Sequence, residues 1–170
     1  PGVVAMVTDR EGPLYEGAAG VRDTSTGAPM TTDTVVALFS TTKALTGTAL
    51  MQLVEEGAVS LDDPASRYVP EIAEVQVLEG FDGEGHPLLR PPRTHITLGM
   101  LMLHTAGFGY EFFSHEDRRY REVAGVPSVI TATFASIRSA LLFDPGARWN
   151  YGVNIDWVGK VVEAVRGKRL

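Results

Sequence analysis

The chain has 170 residues, close to the length of one domain, of which 44% are hydrophobic and 21% charged, with a formal net charge of −6. That balance suits a globular chain with a core, while the acidic charge and basic runs as short as "RTH" and "GKRL" argue against a nucleic-acid partner. The absence of cysteine excludes disulfides, thiolate metal sites and a cysteine nucleophile. No apolar run approaches the ~18 residues of a membrane span. The opening "PGVVAMV" has neither a basic start nor an "AxA" site, so a cytoplasmic location is the expectation.

In chain order, "GVVAMVTDREGPLYEGAAGV" reads as two strands, near Val3–Thr8 and Leu14–Gly20, around a turn at Glu11-Gly12. Residues 21–34, rich in Thr, Gly, Ser and Asp, form a loop. From Thr41 to Glu56, Ala44, Leu45, Ala49, Leu50, Leu53 and Val54 recur at helical spacing, and Gly57 stops the helix. "LDDP" starts a short helix that Pro70 closes, with Asp62 and Asp63 as caps rather than a catalytic pair. Residues 75–97 suggest a hairpin with its turn in "FDGEGHP". "TLGMLMLHTAG" reads as a buried helix from the Thr97 cap to Gly107, followed by helices near Val129–Leu142 and Ile155–Val165. A hairpin alone is marginal and needs further strands or helices to pack on.

The segment "FSTTKALTG" places Ser40 three residues before Lys43 at a helix entrance, where both lie on one face. A serine hydroxyl attacks carbonyls only when a base removes its proton, and a lysine that is neutral part of the time can do so. Backbone N–H groups at the helix start favour the developing oxyanion. The alternative is a capping serine beside a surface lysine. Tyr151, between the "DPGARWN" turn and a helix, is placed either to relay a proton or to anchor the loop on the core. His104 lies in no Ser-His-Asp pattern and reads as a hydrogen-bonded histidine holding its loop. His86, His95 and His115 have no metal-site spacing, so neither a metal nor another cofactor is expected. No G-x-S-x-G elbow surrounds Ser40.

Three segments, "FSTTKALTGTALMQLVEEGAVSLDDPASRYVPE", "ITLGMLMLHTAGFGY" and "DPGARWNYGV…WVGKVVEAVRGK", occur in an order that resembles serine hydrolases of the class C β-lactamase and penicillin-binding-protein-like group. Within that group they most resemble the family VIII carboxylesterases. The resemblance implies an α+β, β-lactamase/transpeptidase-like fold, here a single partial domain. Residues 1–35 would be a sheet hairpin and loop, and residues 36–170 the active-site helix and helical region. Neither a Lys-Thr-Gly strand nor its His/Trp-x-Gly version follows, and no helix precedes the first strand, so the C-terminal strands of the sheet are expected to be missing.

The resemblance further implies that Ser40 is the acylated nucleophile, with its own backbone N–H in the oxyanion hole. Lys43 would be its general-base partner, and Tyr151 would pass the proton to the leaving group. Tyr110, in "GFGYEFF", would wall the acyl pocket. Val153 stands where β-lactamases have the asparagine of Tyr-x-Asn, which favours esters over β-lactams. The expected activity is hydrolysis of short-chain carboxylic esters, with a small-molecule ester as partner and with the 170 residues alone inactive. The alternatives are a β-lactamase or D-amino-acid peptidase of the same group, or a non-catalytic binding protein. Nothing in the pattern specifies an oligomeric state.

Overall fold

Asp9 closes the first turn: its carboxylate accepts the N–H groups of Glu11 (2.8 Å) and Gly12 (3.1 Å), and Gly12 takes φ +142°. In the computed structural model, which describes residues 1–170, this turn joins β1 (Gly2–Asp9) to β2 (Gly12–Asp23). They pair antiparallel, Val4 opposite Ala18 and Val7 opposite Tyr15, with a bulge between Val7 and Thr8. The short β3 (Ala28–Pro29) adds to the other edge of β2. These strands belong to one unit, Pro1–Phe39, and the rest of the chain forms a second, Ser40–Leu170. Within the first unit Val3, Met6, Val7, Leu14 and Tyr15 are exposed.

The second unit is mostly helical. A 3₁₀ turn at Phe39–Thr41 leads into α1 (Thr42–Glu55), whose buried face is Thr46, Gly47, Leu50 and Leu53. Leu45, expected in the core, is exposed. Gly47 has no side chain, so the methyl end of Met102 fits where a Cβ would lie only 3.2 Å from it. Asp63 is a turn staple rather than a helix cap: it accepts the Ser60 N–H and the Tyr68 hydroxyl and pairs with Arg67. Pro70 opens a 3₁₀ turn, Pro70–Glu74, instead of closing a helix. The expected hairpin is β4 (Val77–Phe81) against β5 (Pro87–Arg90).

The helix expected up to Gly107 stops early, as α2 (Leu98–Met102), with the Thr97 hydroxyl accepting the Met100 N–H. His104 then enters the left-handed region at φ +55°, which no helix can continue through. The run expected to be one helix from Val129 to Leu142 is broken into a 3₁₀ turn, Val129–Thr131, and α4 (Phe134–Ile137). Ser128 and Thr133 accept the N–H groups of Ile130 and Ser136, and such local side-chain bonds compete with a continuous helix.

A helix absent from the sequence reading, α3 (His115–Ala124), has a Ser114 cap accepting the Asp117 N–H and ends at left-handed Gly125. Its buried residues are charged. Arg121, 4% exposed, donates to Asp117 (2.8 Å) and to the carbonyls of Pro127 and Ser136, and Glu111 lies 3.2 Å away. Ser139 donates to the other Asp117 oxygen at 2.5 Å. Breaking such a pair strands a buried charge, so Asp117→Ala is expected to cost ~3–5 kcal/mol, read as a lower denaturant midpoint.

The last helix, α5 (Asn154–Arg166), buries Ile155, Trp157, Val158, Val161 and Val162. Trp157 stacks on Phe108 at 5.9 Å and donates its indole N–H to the Ile137 carbonyl. α1 and α2 both pack on α5, so the helix carrying Ser40 at its entrance and the loop carrying Tyr151 at its exit share one core. No helix is long and apolar enough to cross a membrane.

Candidate active site

Ser40 is exposed at the mouth of α1 and caps nothing. Its hydroxyl lies 2.9 Å from the Tyr151 hydroxyl and accepts a hydrogen bond from the Lys43 ammonium at 3.2 Å. Ser40 and Tyr151 are 111 positions apart, so only the tertiary structure brings them together.

The loop before α5 is held on three sides. Its peptide N–H groups at Gly146 and Asn150 donate to the carbonyls of Thr105 and His104, both at 2.8 Å. The Asn150 amide donates to the Phe108 carbonyl. Arg90, on β5, grips both oxygens of Asp144 at 2.8 and 2.7 Å, and this pairing holds the Asp144 carboxyl down at about 2. Gly152 meets the backbone of Phe108 so closely that a Cβ there would lie 2.4 Å from that carbonyl oxygen. Any larger residue would force this loop or the Phe108–Gly109 backbone to shift.

Around the Tyr151 ring the rings of Tyr110, Phe113 and His104 close in. From Tyr151 the centroid distances are 5.3 Å to Tyr110, 6.4 Å to Phe113 and 4.9 Å to His104. The Lys43 nitrogen stands 5.2 Å from the Tyr151 ring centre and 5.7 Å from that of Tyr110. Beside Phe113 and Asn150 opens a cleft of about 480 Å³, whose wall also includes Phe81, Leu142, Glu116 and Arg148.

The electrostatics bear on Lys43 and Tyr151 together. Burial works to lower the Lys43 pKa, but the phenols of Tyr151 and Tyr110 outweigh it and hold the amine above its ordinary value. Burial tends to raise the Tyr151 phenol, yet the Ser40 hydrogen bond and the Lys43 charge prevail and bring it below its usual value. Tyr110 moves the other way, pushed up to about 12 by burial and then by Asp156. Asp156 is exposed as a residue, but the protein around its carboxyl desolvates it and raises its pKa.

Val153, at 1% exposure, packs into the core. The amide lacking at 153 is found one position on, at fully buried Asn154, where it faces His104. Asn154, Asp156 and Phe113 all escaped the sequence reading; the amide directly after the Tyr-x-Val triplet was the visible sign. No group of three or more His, Asp or Glu side chains gathers to hold a metal ion.

Residues 1–170 match the family model described as Beta-lactamase. The chain is 39% identical to "Acyltransferase mokF" of Monascus pilosus over 180 residues, all of this chain and 43% of that protein. To the "Lovastatin esterase" of Penicillium rubens it is 37% identical, covering 99% of this chain and 44% of the relative. The solved structure of simvastatin synthase (LovD) from Aspergillus terreus superimposes with a TM-score of 0.84 at 38% identity, over 99% of this chain and 44% of that one. The chain thus spans less than half the length of the relatives it matches. With a family model running from the first residue to the last, over an α+β, β-lactamase/transpeptidase-like fold, this chain belongs to the Beta-lactamase family.

Proposed function

We propose that the protein is a serine acyl-transfer enzyme that takes an acyl group from a small carboxylic ester onto Ser40 and passes it to water or to an alcohol. The observation that carries this reading is the Ser40 hydroxyl held between an ammonium at 3.2 Å and a phenol at 2.9 Å whose pKa is depressed. Tyr151, as phenolate, removes the Ser40 proton while Lys43 stabilises the negative charge. Ser40 attacks the ester carbonyl, and the Ser40 N–H donates to the oxyanion. Tyr151 then returns its proton to the leaving alcohol, and water or an acceptor alcohol reverses the sequence to release the acyl group. Tyr110 walls the acyl side of the site.

The names of two relatives, an acyltransferase and an esterase, support both fates of the acyl group. The test is to mix the full-length protein with p-nitrophenyl butyrate, quench in acid and map the butyryl group by peptide mass. A butyryl group on Ser40 is the expected result. An added alcohol that speeds p-nitrophenol release and leaves as its butyrate ester favours acyl transfer over hydrolysis. An unlabelled Ser40 with no turnover leaves the non-catalytic binding protein as the better reading. The inward-turned Asn154 and buried Val153 supply no amide for a β-lactam, so nitrocefin turnover is expected to be weak beside ester turnover.

A further inference from the structure

His104 and Asn154 stand outside the acyl-transfer steps just described, yet they grip the loop that carries Tyr151 from both sides. We propose that His104, oriented by Asn154, is a positioning residue that holds the Tyr151 phenol against Ser40. This deepens the acyl-transfer reading and rests on it for its functional meaning.

Three contacts carry the inference. The His104 carbonyl accepts the Asn150 N–H at 2.8 Å, one residue before Tyr151. Its Nδ1 lies 3.0 Å from the amide nitrogen of Asn154, three residues after Tyr151. Its ring packs on the Tyr151 ring with centroids 4.9 Å apart and touches Trp149 edge-on at 6.5 Å. The backbone just before Tyr151, a side chain just after it and the ring itself therefore meet one residue. That residue sits in the left-handed region at φ +55°, a conformation that a chain adopts only when its surroundings demand it.

Asn154 is fully buried, and with its amide N–H donating to Nδ1 its own carbonyl oxygen has no partner. A buried polar atom left unpaired costs stability, and it is kept here beside the ring that walls the phenol. The arrangement requires a neutral imidazole with its proton on Nε2, because a protonated ring has no lone pair to offer the amide. Burial and then the Lys43 charge both push His104 toward the neutral form. Lys43, on α1, is the charge that acts on it; Tyr151 is the titratable group against its ring, and Trp149 and Asn154 carry no charge.

The experiment compares the full-length protein with His104→Asn and Asn154→Leu. Asparagine tolerates the left-handed backbone, so His104→Asn keeps the turn while removing the ring. Tyrosine labelled with ¹³C at Cζ, with the Tyr151 signal assigned through Tyr151→Phe, reports the phenol's titration independently of turnover. Both variants are expected to titrate Tyr151 at higher pH than the parent. They are also expected to lower kcat for p-nitrophenyl butyrate about tenfold with KM little changed. An unshifted Tyr151 titration in both overturns the proposal. So does a loss confined to the number of active sites, seen as a smaller burst with per-site kcat intact, since that is what simple loop support would give. If the parent never acylates but the titration moves, the acyl-transfer reading fails and the positioning role stands.

Discussion

Ser40→Ala in the full-length protein is expected to lower kcat/KM for p-nitrophenyl butyrate by about four orders of magnitude or more, with the fold unchanged. Loss of a nucleophile removes the covalent route entirely, and what survives is binding and the rest of the site acting on water. The substitution deletes one oxygen at an exposed position, so thermal stability is expected to stay within about 0.5 kcal/mol. Equal rates for parent and variant would remove Ser40 from the reaction and place any esterase activity elsewhere.

Lys43→Met is expected to be nearly as damaging, and in a manner that separates two accounts of the lysine. A neutral lysine acting as base would make activity rise with pH through its own titration. In the proposed mechanism the phenols keep the Lys43 pKa above its ordinary value while the Tyr151 phenol falls below its own. On that basis the rising acidic limb of kcat/KM belongs to Tyr151, whose deprotonated form is the active one. In the proposed mechanism Lys43 depresses the phenol, so the reaction would run at lower pH. Removing the charge raises the phenol, and the acidic limb moves to higher pH. At neutral pH the loss is expected to be ~10²–10⁴-fold, with activity partly recovering as the medium is made more alkaline. A rate that falls equally at every pH would argue against the phenolate as base.

The local elements with strong periodic patterns were readable from the sequence. The first hairpin, α1 and α5 lie within a few residues of their expected places, because alternation or helical spacing coincides there with turn residues such as Glu11-Gly12 and Gly57, while the β4–β5 hairpin falls inside the expected 75–97 but ends at Arg90. The misreadings share a cause. α3 was invisible because its buried residues are Asp117 and Arg121, so a search for an apolar stripe passes over it although Ser114 and Gly125 mark both ends. The Val129–Leu142 run looked helical because its apolar spacing fits, but Ser128 and Thr133 redirect the backbone into two short turns. Leu45 has the right period and the wrong face.

For the site, residue types and spacing were enough to single out a serine and a lysine three apart at a helix entrance, and a tyrosine after a Pro/Gly turn. Whether that serine was a cap or met the tyrosine depended on how α1 and α2 pack on α5 and how residues 104–109 grip residues 142–152. The proton affinities were equally beyond reach: a lysine alone shifts either way, and here two phenols beside it outweigh burial and raise its pKa. Val153 likewise turned inward for a reason that no triplet reveals, since a valine at the start of a buried helix gains more from the core than from a ligand. Short-range chemistry is written in neighbouring residues; proton affinities and facing directions arise from atoms that are distant along the chain and close only once it has folded.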